Sequence, residues 1–126
     1  MGFHDVLAGN GYIEWMRGLI ASGFTASDVL VSGKHSIYFD DVCHVIAFNS
    51  PQFNAYWEYG DIRNVGYRVR DQLGNKVRYE LNIMASDLQQ PFGQILIETT
   101  DQSEPDRWVA KILAHCNQPP PAWKRQ

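Results

Sequence analysis

Residues 67–83 read YRVRDQLGNKVRYELNI, and their reading decides the fold. Tyr67 and Val69 alternate with Arg68 and Arg70. Val77, Tyr79, Leu81 and Ile83 alternate with Arg78, Glu80 and Asn82. Apolar–polar alternation of this kind marks a strand with one face buried and one in water. The two arms flank Asp71-Gln72-Leu73-Gly74-Asn75, so the stretch predicts a β-hairpin. Aspartate at the first position and glycine at the fourth suit a type I turn, with Gly74 left-handed in a bulge.

That turn implies a register in which Asp71 faces Asn75, Val69 faces Val77 and Tyr67 faces Tyr79. The apolar pairs then share a face. The same register sets Arg70 against Lys76 and Arg68 against Arg78, and like charges directly opposite destabilise a strand pair. Acid is therefore expected beside them. It comes either from a neighbouring strand carrying Glu98, helped by Glu80, or from an acidic partner.

The chain outside the hairpin is acidic. The 126 residues carry a net charge of −3, yet residues 61–80 sum to +2 while residues 1–60 sum to −4 and residues 81–126 to −1. A pI near 5.7 argues against non-specific nucleic-acid binding, which needs a strong basic field. A local basic patch still suits an acidic protein surface or an anion. With 44% hydrophobic and 20% charged residues the chain is globular in composition, and its length suits one domain that buries about two thirds of its unfolded surface. Residues 1–118 are expected to form that domain and residues 119–126 a Pro-rich tail in which Trp123 needs a home. Residues 1–22 include His4, Asp5 and Glu14 and no continuous apolar core, so no signal peptide and no membrane span are expected. Cys43 and Cys116 read as reduced thiols of a cytoplasmic protein.

Around the hairpin, Asn10 can cap a helix over residues 11–22, with Tyr12, Ile13, Trp15, Met16, Leu19 and Ile20 as its stripe. Residues 29–32 fit a strand or a helical turn equally. Residues 36–48 read as strand, divided in two if Asp40-Asp41 makes a bend. Ser50-Pro51 suits a helix start, and Phe53, Tyr56 and Trp57 follow at i, i+3 and i+4, which predicts a short middle helix. These aromatics either pack under the sheet or form a contact patch. A strand over 94–100 and a last helix follow. Ser103 stands as the helix cap, Asp106 at the capping-box position, and Trp108, Val109, Ile112, Leu113 and Cys116 form its stripe. The expected class is α+β: an antiparallel sheet of about five strands, with an N-terminal, a short middle and a C-terminal helix mainly on one face.

In size, charge and order of elements the chain is similar to small acidic secretion chaperones, which bind other proteins as dimers. That resemblance implies a protein partner and is compatible with a homodimer.

Catalytic signatures are sparse. Gly33-Lys34 cannot complete a phosphate-binding loop, because its first glycine would fall on Asp28. His35, Asp40, Asp41, Cys43 and His44 are close in sequence, and His115-Cys116 adds a pair, but no zinc spacing is present and neighbours on a strand point to opposite faces. No metal and no cofactor are expected. Two functional readings follow. The first is a non-enzymatic protein-binding module of the inhibitor, immunity, adaptor or chaperone type, for which a microbial or phage origin is the expectation. Arg68, Arg70, Lys76 and Arg78 would steer an acidic partner, and Phe53, Tyr56 and Trp57 would anchor it. The second is a small-molecule binder or small enzyme with a sheet–helix pocket built from His35, Asp40 and His44.

Overall fold

Alternating sequence patterns become seven strands in the computed structural model, which describes Gly18, Ala21 and residues 23–120. In chain order they are β1 (Asp28–Ser32), β2 (His35–Asp40), β3 (Val45–Asn49), β4 (Asn54–Glu58), β5 (Ile62–Leu73), β6 (Lys76–Ala85) and β7 (Phe92–Thr99). A 3-10 turn, Tyr59–Asp61, links β4 to β5, and α1 (Glu104–Cys116) follows β7. The strands form two antiparallel meanders, β1-β2-β3-β4 and β5-β6-β7. The class is α+β as expected, but with seven strands in two sheets in place of about five in one. Gly18 and Ala21 are helical, while the whole expected first-helix stripe (Tyr12, Ile13, Trp15, Met16, Leu19 and Ile20) and Trp123 lie outside the described residues.

The expected middle helix is a correction. Ser50 does not cap a helix; its hydroxyl donates to the Phe53 carbonyl at 2.8 Å and accepts from the Phe53 amide at 3.0 Å, which makes the β3–β4 turn. Residues 54–58 then pair along β3, with Trp57 opposite Ile46 and Tyr56 opposite Ala47. The aromatic spacing fits one helical turn, but aromatic side chains also suit strands, and pairing with β3 outweighs so short a helix. The divided strand over 36–48 and the pairing of β7 with β6 are as expected. Residues 29–32 are strand.

One core joins both sheets. Ile37, Phe39, Ile46 and Phe48 of the first sheet meet Leu81, Ile83, Ile95 and Ile97 of the second, and Trp108, Ile112 and Cys116 of α1 close the cluster. Three of the five expected α1 stripe residues are thus buried, with Val109 and Leu113 at the margin. The start of α1 differs from expectation. Ser103 makes no side-chain cap; its amide donates to the Asp101 carboxylate at 2.9 Å, and Arg107 braces the same carboxylate. Asp106 accepts instead from the Tyr67 hydroxyl at 2.8 Å, tying the helix to β5.

The hairpin register is the second correction. The turn is the two-residue Gly74-Asn75, with Leu73 opposite Lys76, Gln72 opposite Val77 and Asp71 opposite Arg78. A bulge between Val69 and Asp71 shifts the count, so Val69 faces Tyr79 and Arg68 faces Glu80. Gly74 has φ 62° and Asn75 has no positive φ, which fits a hairpin turn with glycine at its first central position. The short turn keeps Asp71, Gln72 and Leu73 in the strand and sets opposite charges across it, where the longer turn would have opposed like charges.

Removing the α1 anchor should be costly. Trp108→Ala is expected to lower unfolding free energy by about 3–5 kcal/mol, the range for a large buried aromatic, as read from urea denaturation.

Candidate functional site

The four hairpin cations all lie on or beside the outer face of the second sheet, and each meets a carboxylate. Glu80 accepts from Arg68 Nε at 2.9 Å and from Arg70 Nη1 at 3.0 Å. Its side chain is 9% exposed, while those of Arg68 and Arg70 are 69% and 51% exposed. Arg78 grips Asp71 through two nitrogens, and Lys76 lies 3.8 Å from Glu98. The acid expected beside the hairpin is therefore supplied by this sheet itself. The pairs do not balance everywhere: two guanidinium groups share the single Glu80 carboxylate, which leaves one unit of positive charge at that point.

Apolar groups flank this charge. Along β5 the residues from Tyr67 to Arg70, then Gln72 and Leu73, are exposed; Tyr67 is 37% exposed and Val69 and Leu73 are each 61% exposed. Val65, earlier on the strand, is buried. The distal half of β5 thus runs past the core.

The three expected aromatic anchors separate. Trp57 turns inward against Phe48 and Phe92, and its indole N–H donates to Asp87 Oδ1 at 2.8 Å. Phe53 is partly buried beside Phe92. Tyr56, next to Trp57 and on the opposite face of β4, is exposed. A cleft of about 260 Å³ lies along β4, with Phe53, Trp57, Leu88, Phe92 and Asp87 in its walls.

His35, Asp40 and His44 do not assemble. His35 begins β2 and Asp40 ends it, an odd number of residues apart, so their side chains leave opposite faces. Burial lowers the His35 pKa. Asp40 is fully buried and engaged: Oδ2 accepts from the Thr25 amide, and Oδ1 from the Val42 and Cys43 amides, all at 2.9 Å. Burial alone would raise its pKa; these amides outweigh that and hold it below the usual carboxylate value. His44 adopts a positive φ of 58° in the same turn and packs on Tyr59. Neither thiol is an activated nucleophile. Burial, then the Asp40 carboxylate, pushes Cys43 up, and burial pushes Cys116 to about 12.

A polar cluster that local sequence does not reveal ties α1 to the first sheet. The His115 ring stacks on Phe39 at 4.1 Å, with Nδ1 2.7 Å from Asp41 Oδ1 and Nε2 3.1 Å from Asp28 Oδ2. Asp41 also accepts from the Tyr59 hydroxyl at 2.8 Å and from Gln118 at 3.1 Å, and Lys111 pairs with Asp28 at 3.1 Å. Burial opposes ionisation of both aspartates, but these donors prevail and hold both below the ordinary value. Burial, followed by Asp41, drives the Tyr59 pKa far above the ordinary phenol. His115 and Asp41 are separated by 74 positions, so no spacing rule could pair them. Every ring nitrogen and carboxylate here has an internal partner, the arrangement of a structural tie. Among the described residues no group of three or more His, Cys, Asp or Glu is placed to hold a metal ion, and no helix is long and apolar enough to cross a membrane.

The chain matches no protein-family model, no curated protein and no solved structure.

Three hydrogen-bonded carboxylates, Asp40 buried and Asp28 and Asp41 partly exposed, set an acid limit. Asp28, Asp40 and Asp41 have folded values below 3.8, so their contribution is present above the unfolded value and is lost as pH falls through the folded one. Urea midpoints should hold near neutrality and fall once pH drops below about 4. Asp40→Asn keeps one acceptor oxygen and leaves a partly buried amide without its acceptor, so it should cost about 1–3 kcal/mol at pH 7 and flatten the acid slope.

Proposed function

We propose that this chain is a non-enzymatic protein-binding module, of the inhibitor, immunity, adaptor or chaperone type, whose contact surface is the β5–β6 hairpin. One observation carries the reading: the distal half of β5 leaves Tyr67, Val69 and Leu73 exposed beside the exposed guanidinium groups of Arg68 and Arg70. Tyr67 and Val69 leave the strand on the same side as Val65 and face Leu81 and Tyr79, but they lie past the core, while Arg68 leaves on the outer side with Glu80. The distal strand thus offers exposed apolar and arginine side chains on its two sides, the composition of a contact segment. The uncompensated charge over Glu80 favours a partner with an acidic surface. Lys76 and Arg78, each paired internally, add breadth to the surface and little net field.

The apolar residues give the cleaner test, because charge reversal at Arg68 and Arg70 would strand Glu80. Tagged wild type and Val69→Ser/Leu73→Ser should be compared in pull-downs with nuclease present. A partner held stoichiometrically by wild type should be lost by the variant, with the thermal melt unchanged, since neither side chain is buried. Equal capture by both proteins would contradict the assignment.

A further inference from the structure

The second sheet ends at β5, and among the described residues no backbone–backbone bond from outside β6 reaches residues 63–73. Within that edge the Val65 amide donates to the neighbouring Asn64 Oδ1 at 2.9 Å, a side chain that an added strand would displace. A long open edge of this kind is a template for another strand unless it is blunted. Bulges at both ends confine the regular part of β5 to residues 64–69, and Gly66 stands in the middle of it, opposite Asn82.

Two glycines flank Asn82, and they differ. A Cβ on Gly93, in β7, would come within 2.9 Å of Glu80 Oε2 and 3.2 Å of Asn82 Oδ1, so packing inside the sheet accounts for that glycine. A Cβ on Gly66 would meet nothing within 4 Å, and its φ is not in the left-handed region. Neither fold nor backbone calls for glycine there, and glycine weakens a strand interior. Its effect is to leave open a trough of about 320 Å³, with Asn64, Tyr67, Asn82, Met84 and Pro91 around it. The next outward residue on the strand is Arg68, where the unbalanced positive charge sits.

We infer that β5 accepts an added strand from a partner, an extended segment with an aromatic side chain opposite Gly66 and a carboxylate two residues away opposite Arg68. This rests on the hairpin reading above and specifies its partner. The added backbone pairs along residues 64–69, which is recognition by strand addition. The aromatic ring covers the bare backbone of Gly66 and enters the trough, as aromatic neighbours do over edge glycines. The carboxylate shares Arg68 and Arg70 with Glu80 and completes the charge balance. Arg68 and Arg70 at an open edge also disfavour a second copy of this chain in the register that opposes them.

The test uses the full chain and a palindromic probe, Ac-Glu-Thr-Tyr-Thr-Glu-amide, which presents the same pattern in either strand direction. Titrated into ¹⁵N-labelled protein at millimolar concentration, it should give saturable shifts concentrated on the amides of residues 64–69. Gly66→Val puts into the trough a residue that suits strands and whose Cβ meets nothing within 4 Å, so its melting temperature should equal or exceed that of wild type while affinity falls at least about tenfold. Replacing tyrosine by alanine, or both glutamates by glutamine, in the probe should weaken it as well. Absence of saturable shifts, shifts centred elsewhere, or unchanged affinity for Gly66→Val would overturn the inference. A self-associated dimer through β5 that the probe does not dissociate would also overturn it. If Val69→Ser/Leu73→Ser abolishes capture of a partner while the probe leaves residues 64–69 unmoved, the hairpin reading stands and strand addition falls.

Discussion

The register of β5 on β6 is the constraint on which the rest depends. The two-residue turn at Gly74-Asn75 and the bulge at Arg70 place Glu80 under two guanidinium groups and Asp71 against Arg78. A slip of β5 by one residue would turn Val65 and Tyr67 away from Leu81 and Ile83 and bring Arg68 to the core side. Burial of Val65 and satisfaction of the Glu80 carboxylate therefore favour the same register, a case of local and global preferences agreeing. The pairing also determines what the surface offers: exposed arginines, a residual positive charge, and apolar residues that no core claims.

The first sheet is held differently. Asp40 gathers three backbone amides and fixes the β2–β3 turn, and Asp41 beside it reaches His115 and Tyr59. Two adjacent aspartates thus do separate structural jobs, one closing a turn and one binding the end of α1. A buried carboxylate is costly unless it is hydrogen-bonded; buried Asp40 accepts three amides, and the partly exposed Asp41 gathers its partners on Oδ1. That places the most polar part of the interior at the helix–sheet junction, away from the hairpin, and it explains why a group of histidines and aspartates need not be a catalytic centre.

Much of this was legible in the sequence. The hairpin, the divided strand at Asp40-Asp41, the β6–β7 pairing and the stripe of α1 follow from period and turn chemistry. The middle helix misread Phe53, Tyr56 and Trp57, because a single helical turn and a short aromatic strand share that spacing. The register expected from a five-residue turn fails because it opposes like charges, which the two-residue turn and the bulge avoid. The contact of His115 with Asp41 and Asp28, the exposure of Val69 and Leu73, and the open space at Gly66 depend on tertiary placement, and no local pattern encodes them.

The most direct test is the set of cross-strand nuclear Overhauser contacts within the hairpin. The account predicts contacts linking Gln72 with Val77, Asp71 with Arg78 and Arg68 with Glu80. Contacts linking Val69 with Val77 and Arg68 with Arg78 would contradict it, since Glu80 would then lose Arg68 and the surface built on that pairing would not exist.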